Sequence, residues 1–372
     1  YQVAFMAPTE ILAHQHYKLA IKLFQNSNIN IQLLTGKTIF NKKKDILSDL
    51  QKGKINLLVG THALFQNKIK FFNLGFIIID EQHKFGVNQR IKLAKKGGKN
   101  CDLLLISATP IPRTMMLSFF GDMDISRLNE KPKYRKNIIT LIKPEKKLDE
   151  ILPLLKKEIS LKRQVFWICP LIDVSSNLNY TSAKKKFEQV DKLFPKQVGL
   201  IHGGIDKKIK DKVLQDFLTK KIKILVSTTV IEVGIDFPSA NIIIIEDSNK
   251  FGLSQLHQLR GRVGRGNTES ICILLYKNNL SKNARERLKI LKSTNDGFVI
   301  AEKDLQLRGF GDILGFQQSG IKNFKFADPL HHKDLFLLAE KEVKKLGTLN
   351  FKKFENLLKL HDKADIISKI GS

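Results

Sequence analysis

Short apolar runs alternate with helical stretches along most of this chain, and that alternation constrains its fold more than any other feature. A first set of runs lies at residues 1–6, 31–34, 55–59, 76–79 and 103–106. A second set lies at residues 138–142, 165–168, 198–201, 222–226, 242–245 and 271–275. Short strands that alternate with helices indicate a parallel sheet covered by helices. The sequence therefore predicts an α/β fold with two parallel-sheet units in tandem.

Composition along the chain sets the limits of these units. Residues 131–136 are polar and basic, as in an interdomain linker, and no clear strand remains after about residue 279. We predict a first domain at 1–137, a second at 138–280 and a mainly helical region at 281–372. Helical apolar spacing is found at 145–161 and 207–218, and no internal repeat is visible. Because the chain opens inside an apolar run without a starting Met, we expect a fragment of a longer protein.

The overall composition favours a cytoplasmic protein that binds a polyanion. The net charge is +28 over 372 residues, which points to nucleic acid, although abundant Lys, Ile and Asn also fit an A/T-rich codon bias. No apolar run reaches the length of a membrane span, and the N-terminus does not resemble a signal peptide. Cys101, Cys169 and Cys272 lack metal-binding spacing, so we expect buried thiols in a reducing compartment.

The segment at residues 258–266, QLRGRVGRG, places three arginines close together with glycines between them. Most of the 64 basic residues are Lys, so Arg stands here against the general composition. A planar guanidinium can hold a phosphate with two parallel hydrogen bonds, which an ammonium cannot do, and glycines let the backbone approach a ligand. The segment predicts an arginine finger that senses the terminal phosphate of a nucleotide, with a basic surface loop as the alternative.

Two acidic residues follow the apolar run at 76–79. Carboxylates at the carboxyl end of a buried strand lie where an open α/β sheet binds its ligands. We predict that Asp80 holds Mg²⁺ through water and that Glu81 orients and deprotonates the attacking water. A lone Asp-Glu pair is often only a solvated strand exit. The arginine segment on the same chain favours the catalytic interpretation.

Further motifs follow the apolar runs in a fixed order. In the first domain they are APTE (7–10), GTHAL (60–64), DEQHKFGV (80–87) and SATPIPRT (107–114). In the second domain they are CPLI (169–172), HG (202–203), STTVIEVGID (227–236) and the arginine segment. This order resembles that of superfamily 2 helicases, in which two RecA-like domains clamp ATP between them. The resemblance covers about residues 1–320.

The region after the second domain narrows the resemblance. Residues 296–305 and 307–320 look like the translocation motif shared by the RecG branch-migration helicases and the Mfd transcription-repair coupling translocases. In those families a helical hairpin and loop at this place couple domain closure to stepping on duplex DNA. The residue choices at 80–86, 169–172 and 317–320 are closer to the RecG family.

The resemblance also implies cofactors and residue roles. ATP and Mg²⁺ would be bound, with Arg262 and Arg265 at the γ-phosphate. Gln258 would help to orient the γ-phosphate, and Gly234 and Asp236 would line the nucleotide cleft from the second domain. The implied contacts to DNA, or couplings to it, are Thr9, Thr35, Gly36, Thr61, Ser107, Thr109, His202, Thr228, Thr229, Arg308 and Gln318.

Several of these residues also have simpler explanations. Without the resemblance, Ser107 and Thr109 would fit a tight turn after a strand, and His202 would more often be a structural histidine. His83 could equally be a histidine packed beside Glu81, and its role stays open.

The chain departs from the RecG pattern in three respects. Phe310 stands where Pro is usual, which would change loop stiffness, and Gly204 stands where Arg is usual, which would remove one contact to the DNA backbone. The third departure concerns the phosphate-cradling loop Gly-x-x-x-x-Gly-Lys-Ser/Thr, because Gly36-Lys37-Thr38 has Ile31 where the first Gly is needed. We expect the true loop just upstream of Tyr1, and we expect this stretch alone to bind ATP poorly or not at all.

The function implied is that of an ATP-dependent helicase that translocates on duplex DNA and remodels replication forks and Holliday junctions in recombination and repair. It would act as a monomer in the bacterial cytoplasm, associated with the nucleoid and without a membrane; protein partners are not identifiable. Two alternatives stay open. One is an Mfd-like translocase that acts on a stalled RNA polymerase. The other is a non-catalytic DNA-binding protein with a decayed motor, against which the retained acidic pair and arginines argue.

Overall fold

The computed structural model describes residues 1–81, 85, 93, 96–98, 101–107, 124–128, 130, 136–170, 176–228, 237, 239–266, 268–277, 280–313 and 332–346. The chain forms two units, one of Tyr1–Pro110 with Leu128–Leu307 and the other of Ile111–Arg127 with Arg308–Ser372. Both sheets lie in the first unit.

The first sheet is parallel, with strand order β2-β3-β1-β4-β5. Its strands are β1 (Gln2–Met6), β2 (Ile31–Leu34), β3 (Leu57–Gly60), β4 (Leu74–Ile79) and β5 (Asp102–Leu105). Helix α1 (Glu10–Leu23) joins β1 to β2, and α2 (Phe40–Gln51) joins β2 to β3. Successive strand residues point to opposite faces, and Leu58 and Val59 accordingly belong to different apolar clusters. The sheet is therefore covered on both faces.

The second sheet is also parallel, with strand order β6-β11-β10-β7-β9-β8. Its strands are β6 (Ile138–Pro144), β7 (Gln164–Ile168), β8 (Val198–Ile201), β9 (Ile224–Ser227), β10 (Ala240–Ile245) and β11 (Ser270–Tyr276). Every residue of β7, β9 and β10 is buried, as expected for the inner strands of a parallel sheet that is covered on both faces.

Helices connect these strands and follow them. Within the second sheet they are α3 (Leu152–Ser160), α4 (Ser176–Leu193), α5 (Lys207–Leu218) and α6 (Leu253–Arg260). After β11 come α7 (Lys282–Ser293), α8 (Gly297–Ile313) and α9 (Lys333–Leu346). The predicted fold class is thereby confirmed, whereas the exact domain boundaries stay a prediction.

One predicted helix differs from the structure. The spacing at 145–161 predicted a continuous helix, but the structure has a 3₁₀ segment at Glu145–Glu150 and then α3. Lys147 has non-helical backbone angles, and Pro153 lies in the first turn of α3. Proline is tolerated at that place because its missing N–H would have no partner inside the helix. The apolar spacing therefore continues across two helices.

The two sheets repeat one connection order, although no repeat is visible in the sequence. The order β2-β3-β1-β4-β5 corresponds to β8-β9-β7-β10-β11, and β6 is added at the far edge. The backbone N–H of Asp80 donates to Met6 O at 2.9 Å, and that of Glu246 donates to Ile168 O at 2.9 Å. The residues that follow β4 and β10 are therefore structurally equivalent.

Buried glutamines at the start of β1 and β7 also correspond. Each side chain donates to two carbonyls, one at the end of a helix and one in the loop that follows it. The bonds run from Gln2 Nε2 to Leu50 O (3.0 Å) and Ile55 O (2.8 Å), and from Gln164 Nε2 to Phe217 O (2.6 Å) and Ile222 O (2.9 Å). Carbonyls at a helix end lack partners within the helix, so each glutamine fastens a helix end to its sheet.

Two further expectations concern the membrane and the thiols. Over the part of the chain that the structure describes, no helix is both long enough and apolar enough to cross a membrane. Cys169 and Cys272 are buried free thiols, whereas Cys101 is only half-buried.

We predict that Gln164→Leu lowers the free energy of unfolding by about 1–3 kcal/mol, because Ile222 O and Phe217 O both lose the side-chain donor, although Phe217 O keeps the Lys220 N–H. Gln215→Leu makes the same chemical change at an exposed position of α5 and should stay within about 0.5 kcal/mol of the unmodified protein. Denaturant unfolding followed by circular dichroism measures both. Equal stability of the two variants would show that Gln164 is not a fastening residue.

Candidate active site

The acidic pair lies at the carboxyl edge of the first sheet, directly after β4. The Oδ1 atom of Asp80 accepts the Glu81 N–H at 2.9 Å, and its Oδ2 lies 3.0 Å from Nε2 of His16 on α1. A carboxylate only accepts hydrogen bonds, so Nε2 of His16 is the donor. Each oxygen keeps a further lone pair, and the Asp80 side chain is 17% exposed. The carboxylate is thus oriented by protein donors and still open to a hydrated cation.

Glu81 has an unusual backbone for a residue with a side chain. Its φ is 49°, in the left-handed region that favours glycine, and the residue is buried. Such a backbone carries strain that the surrounding fold must offset, and it is found most often at functional sites. The burial of Glu81 does not fit a solvated strand exit.

Arg260, the first arginine of the segment, is buried and binds backbone carbonyls of the protein itself. It is 2% exposed, and Nη1 donates to Leu291 O at 2.7 Å and to Thr294 O at 2.9 Å. Burial lowers the pKa of its guanidinium. These carbonyls lie at the end of α7, so Arg260 fastens α6 to the start of the helical region.

Arg262 and Arg265 lie in the turn after α6 and are half-buried. Burial, and then the like charge of Arg265, lower the pKa of Arg262, whereas the Glu81 carboxylate raises it. Nε of Arg265 donates to Gly261 O at 3.5 Å. The two guanidinium groups therefore repel each other, and Arg262 is attracted by the Glu81 carboxylate that follows the first sheet. An anion such as a phosphate would relieve that repulsion.

Gly264 was expected to let the backbone approach a ligand, but the structure gives a different reason for it. Its φ is +77°, which a side chain would strain. An added Cβ would lie 3.0 Å from Cγ1 of Ile138 on β6. The turn and the packing against β6 require glycine here.

The first turn of α1 gathers three of the residues proposed to contact DNA. Thr9 caps the helix, with Oγ1 accepting the Leu12 N–H at 3.3 Å. Nζ of Lys37 lies 3.5 Å from a carboxylate oxygen of Glu10, and Oγ1 of Thr35 accepts the Lys37 N–H at 3.3 Å. A Cβ added at Gly36 would meet Glu10 at 3.6 Å. Thr9 and the Thr35-Gly36 turn are therefore joined through Glu10.

Lys96 stabilises the turn that begins after Thr61, at the end of β3. The 3₁₀ segment His62–Phe65 and the loop after it present three carbonyls to Nζ of Lys96. These are Leu64 O at 3.0 Å, Gln66 O at 2.6 Å and Ile69 O at 3.0 Å. An ammonium has three donors, so it satisfies all three carbonyls, and burial lowers its pKa.

The predicted residues of the second sheet differ in burial and in hydrogen bonding. Nδ1 of His202, after β8, accepts the Gly204 N–H at 3.2 Å, and burial lowers the pKa of the imidazole. Thr228 is fully buried, and its hydroxyl has no hydrogen-bond partner among the residues that the structure describes. Gln258 near the end of α6 and Ser107 after β5 are half-buried.

Some predicted residues cannot be located. Gly234, Asp236, Thr109, Thr229, Gln318 and His83 lie outside the described residues, as do the side chains of Arg308 and Phe310.

Magnesium suits the ligands found at the acidic pair. Mg²⁺ commonly uses one or two carboxylates together with water and substrate phosphates, rather than a cage of protein ligands. Within the described ranges no group of three or more His, Cys, Asp or Glu side chains could hold a metal. Asp80, oriented but not enclosed, fits an ion of that kind.

Sequence reasoning missed His16, Lys96 and Arg260 as contributors to this site. The motif pattern marks residues that follow strands, whereas His16 lies within a helix and Lys96 acts on carbonyls about 30 residues away. Arg260 was part of the arginine segment, but its burial could not be read from the spacing.

Three known families match successive parts of the chain. Residues 1–117 match the DEAD/DEAH box helicase family, and residues 146–267 match the helicase conserved C-terminal domain. Residues 294–349 match the C-terminal part of domain 3 of the ATP-dependent DNA helicase RecG. With two RecA-like sheets, an acidic pair and an arginine segment, the chain belongs to the superfamily 2 helicases.

Individual relatives narrow this class. The chain is 46% identical over 380 residues to an ATP-dependent DNA helicase RecG of Aquifex aeolicus, covering 100% of the chain and 47% of the relative. It is 46% identical to the RecG of Bacillus subtilis, covering 89% and 48%. A solved structure of RecG bound to a three-way DNA junction matches with 42% identity and a TM-score of 0.71, covering 90% of this chain and 43% of that one.

The chain therefore belongs to the RecG family. It spans about half the length of the curated relatives it matches. The Mfd-like alternative is not favoured, because the match at 294–349 and these relatives are all RecG.

We predict opposite effects on stability from two neighbouring arginines. Arg260→Met should lower the free energy of unfolding by about 2–4 kcal/mol, because two carbonyls at the end of α7 lose their donor. Arg262→Met should change it by no more than about 1 kcal/mol, or raise it, because it removes a like charge beside Arg265. Thermal unfolding of both variants measures this. A larger loss for Arg262→Met would assign that residue a structural role.

Proposed function

We propose that this chain forms the motor of an ATP-dependent helicase that translocates on duplex DNA and remodels branched DNA in recombination and repair. The observation that carries the proposal is that the charge of Arg262, in the second sheet's arginine segment, interacts with that of Glu81 after the first sheet and with that of Arg265. Half-buried groups of like charge are a cost unless a ligand of opposite charge binds them. A nucleotide phosphate with its Mg²⁺ satisfies both the arginines and the carboxylates.

The residues divide the hydrolysis between them. Asp80 would hold Mg²⁺ through water, and Glu81 would orient the attacking water and accept its proton. When bound, Mg²⁺ would supply positive charge against the negative charge of the phosphates. Arg262 and Arg265 bind the γ-phosphate, Gln258 helps to orient it, and Gly234 and Asp236 line the cleft. Because Arg262 also senses Glu81, loss of the phosphate changes the electrostatics of both sheets together.

DNA is proposed to lie along the carboxyl edges of the sheets. Support comes from the cluster at the first turn of α1, where Thr9, Thr35 and Gly36 meet, and from the turn after Thr61. In the second sheet the candidate contacts are His202, Thr228 and Thr229; the Thr228 side chain is fully buried, so its contact with DNA would require the strand end to open. Ser107 and Thr109 link the cleft to DNA, and Arg308 and Gln318 couple closure to stepping. Hydroxyl and backbone contacts of this kind position a duplex without reading its sequence.

Branched DNA is the proposed substrate because the related RecG structure holds a three-way DNA junction. We propose that the protein acts as a monomer in the bacterial cytoplasm, in association with the nucleoid. The excess of basic residues would favour binding to DNA of any sequence or shape. A preference for branched DNA would therefore require further contacts.

We predict that Glu81→Gln lowers ATP turnover in the presence of forked DNA by about 100-fold or more, because the amide cannot accept the proton from water. The protein expressed from its complete gene is the sample, and phosphate release is the measurement. Binding of forked DNA should stay unchanged, since the shape of the side chain is kept.

Glu188→Gln is the matched control, because it makes the same change at an exposed position of α4. Its turnover should equal that of the unmodified protein. Undiminished turnover in Glu81→Gln would remove the assignment of the base. A complete absence of DNA-stimulated hydrolysis in the unmodified protein would favour the decayed motor.

We predict that Lys37→Gln reduces the salt dependence of DNA binding by about one unit of slope in a plot of log affinity against log salt, because one phosphate contact is lost. Lys37 is exposed beside Gly36 at the carboxyl edge of the first sheet. Lys52→Gln, in the exposed loop at the opposite edge, should leave the slope unchanged. Fluorescence anisotropy with labelled forked DNA gives both slopes, and equal slopes would place the DNA elsewhere.

A further inference from the structure

We propose that His16 is the positioning residue of the acidic pair and that it couples DNA binding at the first turn of α1 to Mg²⁺-nucleotide binding at Asp80. This inference rests on the proposed function and deepens it. It concerns a side chain that contacts Asp80 but is not among the residues proposed to bind DNA or the nucleotide.

The imidazole of His16 is held on two sides. Its Nε2 lies 3.0 Å from Oδ2 of Asp80, and its ring centroid lies 4.5 Å from that of Phe5 on β1, with an angle of 37° between the planes. The His16 side chain is 27% exposed and that of Asp80 is 17% exposed. A ring that packs on the central strand and donates to the carboxylate fixes which Asp80 oxygen is turned towards α1.

Helix α1 connects this ring to the proposed DNA contacts. Thr9 is the N-cap of α1, and His16 lies about 10 Å further along the helix axis. Leu12 and Ala13, between them, are buried in the core of the first sheet, and Ile11 packs against the core of the second. A helix held in this way moves as one body. A shift of its first turn on DNA is therefore felt at the hydrogen bond from His16 to Asp80.

The second sheet contains an equivalent arrangement with different chemistry. Glu246 and Asp247 follow β10 as Asp80 and Glu81 follow β4, and Asp247 has a φ of 46° against 49° for Glu81. Trp167 occupies the place in β7 that Phe5 occupies in β1. The N–H of Trp167 donates to Oε1 of Glu246 at 3.0 Å.

Lys186 on α4 is the equivalent of His16 on α1, because each is a basic side chain that contacts the first acidic residue after the strand. Its Nζ lies 2.8 Å from Oε1 of Glu246 and 5.7 Å from the centroid of the Trp167 ring. The carboxylate of the second sheet thus carries a cation that belongs to the chain. A free Mg²⁺ has no role beside a carboxylate that is already neutralised.

The comparison explains the choice of histidine in the first sheet. The imidazole of His16 donates to the carboxylate from one ring nitrogen of a planar ring, whereas the ammonium of a lysine is a compact charge with three donors. A lysine at that place would reproduce the closed arrangement of the second sheet. His16 therefore orients Asp80 without competing with Mg²⁺.

The test measures the coupling of two ligands rather than turnover alone. In the protein expressed from its complete gene, the affinity for a labelled DNA fork is measured without nucleotide and with Mg²⁺ and the β,γ-imido analogue of ATP. The two affinities should differ by about fivefold or more, and linkage requires DNA to change the affinity for Mg²⁺-nucleotide by the same factor. In His16→Phe, which keeps the ring but not the donor, the ratio should fall to about one.

Two controls separate coupling from folding. His16→Gln places an amide donor near the position of Nε2 and should restore most of the ratio. His14→Phe makes the same change at an exposed position of the same helix and should leave the ratio unaltered. The affinity for the fork without nucleotide should be the same in all of these variants, because the proposed contacts at the first turn are kept.

A third variant tests the comparison between the sheets. In His16→Lys, addition of Mg²⁺ should no longer strengthen binding of the fluorescent analogue mant-ADP, because an ammonium already neutralises Asp80. DNA-stimulated turnover should fall about tenfold or more in His16→Phe and in His16→Lys.

A coupling ratio in His16→Phe equal to that of the unmodified protein, or an undiminished effect of Mg²⁺ in His16→Lys, would overturn the role of His16 alone. If the unmodified protein shows neither coupling nor DNA-stimulated hydrolysis, the proposed function fails, and the inference about His16 fails with it.

Discussion

Parallel hydrogen bonding within the two sheets is the constraint on which the rest of the structure depends. Because all strands of each sheet run the same way, every strand end that carries a motif comes to one edge. The hydrogen bond from the Asp80 N–H to Met6 O shows that strand pairing fixes the position of the acidic pair. The pair begins where the pairing between β4 and β1 ends. A change of register would move the carboxylate to the other face.

The charges at this edge show why such a site depends on a stable fold. Glu81 adopts a left-handed backbone, and Arg262 lies half-buried near Arg265, so both sheets carry arrangements that do not favour folding. Other interactions offset this cost. Buried glutamines fasten helix ends, Lys96 satisfies three carbonyls, and Arg260 satisfies the end of α7. Two arginines two positions apart thus have opposite relations to stability.

The strands and the motifs that follow them could be predicted from the sequence, because buried parallel strands are apolar and their motifs lie directly after them. The sequence was not sufficient for contacts that depend on three dimensions. His16 meets Asp80 across 64 positions, and Gln164 reaches Phe217 across 53, so neither partner can be read from spacing. The split of the helix at 145–161 was missed because apolar spacing continues while the backbone does not. The repeat was missed because backbone hydrogen bonds, not residue identities, preserve it.

The strand ends after β4 and β10 share a backbone arrangement but carry different side chains. Their comparison distinguishes what the fold provides from what the proposed chemistry requires. Both sheets supply a strand end, an acidic pair with a left-handed second residue, an aromatic ring and a basic side chain on the following helix. Lys186 pairs directly with Glu246, which gives a closed ion pair that serves packing. His16 donates to Asp80 from a single ring nitrogen, and the proposed role of that carboxylate is to hold an exchangeable cation. We therefore propose that one basic side chain determines which of the two similar strand ends serves a nucleotide.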